Sequence, residues 1–280
     1  MAPSFSRILL ASEHTEFDTG AEAVALALAR HGATPLSAVL PMLSNAEFET
    51  AAPQLAERAD ELAATRREAI QALAQAAGVP LTLRVRRGDE PFAEIVQAAR
   101  ELPADLIVLR RRGQRSFLAN LLVGEMVGKV LAHAPCSVLL APRGARLWRH
   151  RVLVALDPPV PDAALLDQAA LLAAAHGLPL QVLCVASGEE TRTGAQQALQ
   201  AALMHARRLG GPVDGEVRVG RPYQEVLAAA QGGGADLVVL GRHRPEALGR
   251  AWIGGVAQKV IGLAECPVLV HVNPTATDSP

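Results

Sequence analysis

Two kinds of apolar pattern alternate along the chain. Short runs of consecutive apolar residues are separated by longer, Ala-rich stretches in which apolar side chains recur every three to four positions. The first pattern predicts strands buried on both faces, the second amphipathic helices. In the first half the strands fall at Ile8–Ala11, Leu36–Leu40, Leu81–Val85, Leu106–Leu109 and Ser137–Leu140. The helices fall at Phe17–His31, Pro53–Ala77, Pro91–Arg100 and a segment ending near His133. Thr19 and Glu22 stand at capping-box spacing, and Gly32, Gly78 and Pro80 supply stops. In the second half, strands Val152–Leu156, Leu180–Val185, Val213–Val219, Leu237–Leu240 and Val268–His271 alternate with helices Ala163–His176, Thr191–Leu209, Pro222–Gln231 and one more before the last strand. Such alternation predicts a parallel sheet with helices on both faces, doubly wound by right-handed crossovers. A ligand of such a sheet sits at the carboxyl ends of the strands, beside the switch point.

The two halves repeat each other. Arg7-Ile-Leu-Leu-Ala returns as Arg151-Val-Leu-Val-Ala 144 positions later, and Ala104-Asp-Leu-Ile-Val-Leu returns as Ala235-Asp-Leu-Val-Val-Leu 131 positions later. Lys129-Val-Leu-Ala-His-Ala-Pro-Cys-Ser-Val-Leu returns as Lys259-Val-Ile-Gly-Leu-Ala-Glu-Cys-Pro-Val-Leu after 130. The order holds and the offset only shrinks, which marks the second half as a shortened duplicate. The segment Ala141–His150, with Pro142 and Gly144, divides two α/β domains at 1–145 and 146–280.

Composition narrows the chemistry. Of 280 residues half are hydrophobic but only 3% aromatic, so the core is built from Ala, Leu and Val. With 27 basic against 28 acidic residues, no global field draws nucleic acid or an anionic membrane. Eight aromatic residues cannot build a base-stacking platform. Cys136, Cys184 and Cys266 lack Cys-x-x-Cys spacing, which argues against a zinc ribbon or disulfide framework and suits a reducing, cytoplasmic compartment. They read as buried small apolar residues. The start of the chain meets Glu13 before any signal-type apolar core develops. The longest apolar stretch, Ala163 to Ala186, is broken by Asp167, Gln168, His176 and Gln181, so no membrane span is expected.

Candidate chemistry gathers at the strand ends. The first strand of each half runs into an acid, Glu13 or Asp157. The fourth opens into a basic, glycine-bearing loop that enters a helix: Arg110-Arg111-Arg112-Gly113 and then Gly124, or Gly241-Arg242-His243-Arg244 and then Gly254-Gly255. An acid can accept hydrogen bonds from ribose hydroxyls, and glycines let backbone N–H groups and a helix N-terminus approach phosphates.

With the Ala-Asp-Leu-Ile-Val-Leu and Ala-Asp-Leu-Val-Val-Leu strands and the closing Ala-Pro-Cys-Ser-Val-Leu and Glu-Cys-Pro-Val-Leu strands, these features resemble a tandem pair of universal stress protein domains over nearly all of both halves. The resemblance implies strand order 3-2-1-4-5 in each domain. In nucleotide-binding members it implies a Gly-x2-Gly-x9-Gly-Ser/Thr loop for phosphate, an Asp ending the first strand, and second-strand backbone against the nucleoside. On this chain those places fall to Asp157, Val185, Gly241, Arg242, Arg244, Gly254, Gly255 and Val256, with ATP or AMP as the ligand. Because members commonly pair their edge fifth strands, the resemblance also implies an intramolecular pseudo-dimer with Ser137–Leu140 beside Val268–His271. A homodimer of whole chains and an unidentified protein are the further partners it suggests.

Both loops depart from that pattern. In the first half Arg110 replaces the first glycine, the gap from Gly113 to Gly124 is one residue too long, Glu125 replaces the Ser/Thr and Glu13 the Asp. Glu125 puts a carboxylate in the first turn of the helix, where it would satisfy the dipole that phosphate would otherwise meet. In the second half Gly241, Gly254 and Asp157 keep their places, but Arg244 replaces the second glycine and Gly255 the Ser/Thr. The first domain is therefore expected to bind no nucleotide, and the second to bind weakly.

Plainer roles stand beside these. Asp157 can cap the next helix, and Arg110–Arg112 can be a solvated basic surface. Gly124-Glu-Met-Val-Gly-Lys129 fails as a P-loop, because its glycines are one residue too close and Val130 stands where Ser or Thr must bind magnesium. The eight histidines form no i,i+4 pair with a nearby acid and read as helix-end and surface residues. Asp105 and Asp236 read as makers of local turn hydrogen bonds. No Ser/His/Asp set or carboxylate pair stands out. The segments after the first strands, Glu13-His-Thr-Glu-Phe and Asp157-Pro-Pro-Val-Pro, lack the signatures of an ATP pyrophosphatase or nucleotidyl transferase. A non-enzymatic stress-response regulator with weak adenine-nucleotide binding is the first expectation. A protein of the same fold acting through protein–protein interaction alone is the second.

Overall fold

The computed structural model describes residues 4–44, 53–111, 124–158, 162–242 and 254–273. They form two compact units, one of residues 5–111 and 124–147 and one of the described residues from Trp148 onward.

The first unit contains strands β1 (Ile8–Ala11), β2 (Leu36–Leu43), β3 (Leu81–Gly88), β4 (Leu106–Arg110) and β5 (Ser137–Ala141). Helices α1 (Thr19–His31), α2 (Pro53–Ala76), α3 (Pro91–Glu101) and α4 (Glu125–His133) connect them. The strands run in the order β3-β2-β1-β4-β5, all parallel. Central strands are buried on both faces, as their unbroken apolar runs require: all four residues of β1 and four of the five of β4 are buried. The edge strand β3, Leu-Thr-Leu-Arg-Val-Arg-Arg-Gly, is not an unbroken run. It alternates, and no residue of it is fully buried. Its Arg84 and Arg86 reach Glu101 at the end of α3.

The second unit repeats the plan with β6 (Val152–Leu156), β7 (Leu180–Ala186), β8 (Val213–Val219), β9 (Leu237–Gly241) and β10 (Val268–His271). Its helices are α5 (Ala163–Ala175), α6 (Glu189–Arg208), α7 (Pro222–Gly233) and α8 (Gly255–Leu263). The order β8-β7-β6-β9-β10 is again 3-2-1-4-5 and parallel. No helix among the described residues is long and apolar enough to cross a membrane.

Two local expectations are corrected. Helix α1 starts at Thr19 rather than Phe17, and the Thr19–Glu22 capping box does not form. Glu22 is buried, and its carboxylate accepts from Ser12 Oγ at 2.6 Å and lies 3.0 Å from His14 Nδ1. It is turned toward the end of β1, so it cannot reach back to the helix start. Likewise Asp105 and Asp236 do not make local turns. Asp105 accepts from the backbone N–H groups of Ser6 and Arg7 and from Ser6 Oγ, at 2.7–3.0 Å. Asp236 accepts from the N–H groups of Arg149, His150 and Arg151. Each carboxylate thus fastens the start of the fourth strand to the chain entering the first strand, about a hundred residues away in one case.

Candidate functional site

In each unit the chain moves outward from its first strand to the second and third, then returns to the other side of the first. The switch point therefore opens between β1 and β4, and between β6 and β9.

In the second unit the register places several expected site residues together. Leu156 pairs with Cys184 and Ala155 with Leu240. Beyond these pairs Asp157 follows the last residue of β6, Val185 follows Cys184 in β7, and Arg242 follows the last residue of β9, so all three lie toward the carboxyl ends of three adjacent strands. Gly241 lies just below, paired with His271. The Arg242 N–H donates to the His271 carbonyl at 3.0 Å. Asp157 is exposed. Gly254 is the N-cap of α8, and Gly255 and Val256 form its first turn. Arg244 lies outside the described residues.

Sequence reading missed Asp162, which the 144-residue repeat offset pairs with Asp18. Asp162 caps α5, its Oδ1 accepting from the Leu165 N–H at 3.1 Å. A Cβ on Gly241 would sit 3.3 Å from Leu165 Cδ2 and 3.9 Å from Asp162 Oδ2. Glycine at 241 therefore also lets α5 close on the end of β9. Beneath the strand ends lie two buried titratable groups. The Cys184 thiol is pushed up to about 11 by burial, with a smaller push from the Asp157 carboxylate. His271 is not the surface histidine expected: it is buried, and burial lowers its pKa, against a weaker opposing pull from Asp162. Burial favours the uncharged form of both the thiol and the imidazole, which does not suit a nucleophile–base pair.

The first unit's crevice is built differently. Arg110, expected on a solvated basic surface, turns inward with its side chain 22% exposed. Its Nη1 donates to Thr15 Oγ1 at 2.8 Å and to Asp18 Oδ2 at 3.1 Å, and its Nη2 lies 3.4 Å from Glu13 Oε2. Asp18 is almost wholly buried and also accepts from the Thr15 N–H and Oγ1. Although it is the N-cap residue of α1, its side chain does not cap. The contrast with Asp162 follows the residue on the fourth strand: beside Gly241 the aspartate caps its helix, and beside Arg110 it meets the guanidinium and two donors of Thr15.

Beside Arg110 lies a cavity of about 430 Å³ whose lining includes Glu13, Asp89, Glu90, Phe92, Glu125 and Lys129. Glu125 does not cap α4, and its carboxylate is 84% exposed and 3.2 Å from Lys129 Nζ. Lys129 donates to Glu90 at 2.9 Å, and this bond, followed by Glu125, raises the ammonium pKa above its ordinary value. The same ammonium lies 5.0 Å from the centre of the Phe92 ring, as Lys259 lies 4.6 Å from that of Tyr223 in the second unit. Among the described residues no group of three or more His, Cys, Asp or Glu side chains is placed to hold a metal ion.

Two doubly wound five-stranded units in one chain, each opening at the ends of its first and fourth strands, define a tandem α/β protein. The profile of the universal stress protein family matches residues 4–142 and 149–271, and the chain belongs to that family. A universal stress protein of Mycobacterium bovis is 25% identical over 270 residues, covering 88% of each chain. One from Methanocaldococcus jannaschii is 34% identical over 98 residues, 35% of this chain, which spans only 58% of that relative's length. The crystal structure of a universal stress protein from Archaeoglobus fulgidus superposes with a TM-score of 0.74 at 18% identity, over 96% of both chains.

Proposed function

We propose that this universal stress protein is a regulatory, non-enzymatic protein whose second domain takes an adenine nucleotide weakly. The observation that supports this reading is that Asp157, Val185, Gly241 and Arg242 lie toward the carboxyl ends of three adjacent strands beside the switch point. In this reading Asp157 accepts from ribose hydroxyls, the Val185 backbone meets the adenine edge, and the N–H groups at Gly254, Gly255 and Val256 meet phosphate. Arg242, with Arg244, supplies charge that the missing glycine and hydroxyl do not. Each lost hydrogen bond to a charged group costs about 1.5–3 kcal/mol, roughly one to two decades of affinity.

The test is equilibrium binding of AMP and ATP to the full chain. Asp157→Ala and Gly254→Val are each expected to weaken binding by about tenfold or more with an unchanged circular dichroism spectrum. Binding unaffected by both substitutions would place the nucleotide elsewhere. Arg244 in the place of the loop's second glycine and Gly255 in the place of its hydroxyl favour a second reading, in which the same fold acts through a protein partner alone. Absence of any binding to the parent chain would support that one.

A further inference from the structure

We infer that Arg110 is a resident ligand of the first domain's crevice, and that this crevice is built for a guanidinium and closed to nucleoside phosphates. Three acceptors from one connecting segment, Glu13, Thr15 and Asp18, converge on its Nη1 and Nη2 at 2.8–3.4 Å. A planar guanidinium presents donors on two separated nitrogens in a fixed fork and so suits acceptors spread in this way, whereas an ammonium gathers its three donors on one nitrogen. Asp18 is committed to this role, since it is buried, leaves α1 uncapped and is steadied by two donors from Thr15.

The surroundings reject an anion. Four carboxylates, Glu13, Asp89, Glu90 and Glu125, line the neighbouring cavity with two cations. Arg110 is already neutralised by Glu13 and Asp18, and Lys129 by Glu90 and Glu125. A phosphate entering here would meet uncompensated carboxylate charge and a cation whose donors are in use. Removal of the Arg110 side chain would leave Asp18 buried without its counter-ion, and a small guanidinium from solution is the species that fits the vacancy. None of this depends on whether the second domain binds nucleotide.

The experiment is thermal unfolding of the full-length Arg110→Ala variant with methylguanidinium chloride, with sodium chloride at equal ionic strength, and with ATP. The variant is expected to lose about 5 °C or more in Tm. Methylguanidinium at millimolar concentration should restore part of that loss, sodium chloride should not, and ATP should raise the variant no more than the parent. Arg110→Lys keeps a charge but not the fork, so its Tm should fall less than that of the alanine variant. It covers the case in which the latter does not fold. A lysine variant as stable as the parent, a folded alanine variant without specific rescue, or stronger stabilisation of that variant by ATP would each overturn the inference.

Discussion

At the scale of single residues, the carboxylates decide more than the glycines. Asp105 and Asp236 stand at the same point of the two repeats, and each gathers N–H donors from the chain that leads into the first strand of its unit. Those donors lie beyond the sheet ladder and have no strand partner, so the carboxylate completes their hydrogen bonding. Asp236→Ala is expected to destabilise the chain by about 2–3 kcal/mol. Asp236→Asn, which keeps an acceptor oxygen without the charge, should cost less. Urea denaturation of the two variants against the parent measures both. The Asp-Leu-Ile/Val-Val-Leu pattern was legible in the sequence. The partners of its aspartate were not, because a donor 99 residues away is brought near only by strand pairing.

At the scale of elements, most boundaries lie within one to three residues of the hydrophobic pattern, and Val152–Leu156, Val213–Val219 and Val268–His271 match it at both ends. Buried strands signal themselves through unbroken apolar runs, while the edge strand β3 extends to Gly88 through Arg84, Arg86 and Arg87 and was read short. Helix α1 illustrates a close approach that pattern does not reveal. A Cβ on Gly20, in its first turn, would sit 1.9 Å from the Pro142 carbonyl oxygen and 2.8 Å from the Ala145 nitrogen. Exchange of glycine for alanine inside a helix usually gains up to about 1 kcal/mol. Here the clash is with backbone, which cannot swing aside, so Gly20→Ala is expected to cost about 2–3 kcal/mol. Chemical denaturation fixes the sign: a stabilised variant would show that the segment after β5 moves aside freely.

At the scale of the whole molecule, duplication has produced two units of one topology with unlike crevices. One holds an arginine among carboxylates, and the other presents glycine and an exposed aspartate, with Cys184 and His271 buried in the strands. The asymmetry leads to a stoichiometry. Calorimetric titration of the full chain with ATP is expected to give one site per chain, and Asp157→Ala should weaken that site by about tenfold or more without exposing another. Two equivalent sites per chain would show the first crevice to be open after all.

By itself the sequence determined the duplication, the α/β class, the strand order through its family pattern, and the positions at which chemistry could sit. These are written in local periodicity and in repeated short motifs, which survive without knowledge of distance. Tertiary structure alone decided which partners the motif positions meet. Arg110 and Gly241 occupy the same place in their repeats, yet one side chain recruits Glu13, Thr15 and Asp18 while the absence of the other leaves Asp162 to cap its helix. The physical reason is that a side chain's partners are set by strand register and by the approach of helices across the sheet. Those distances are fixed only when the parallel strands are side by side.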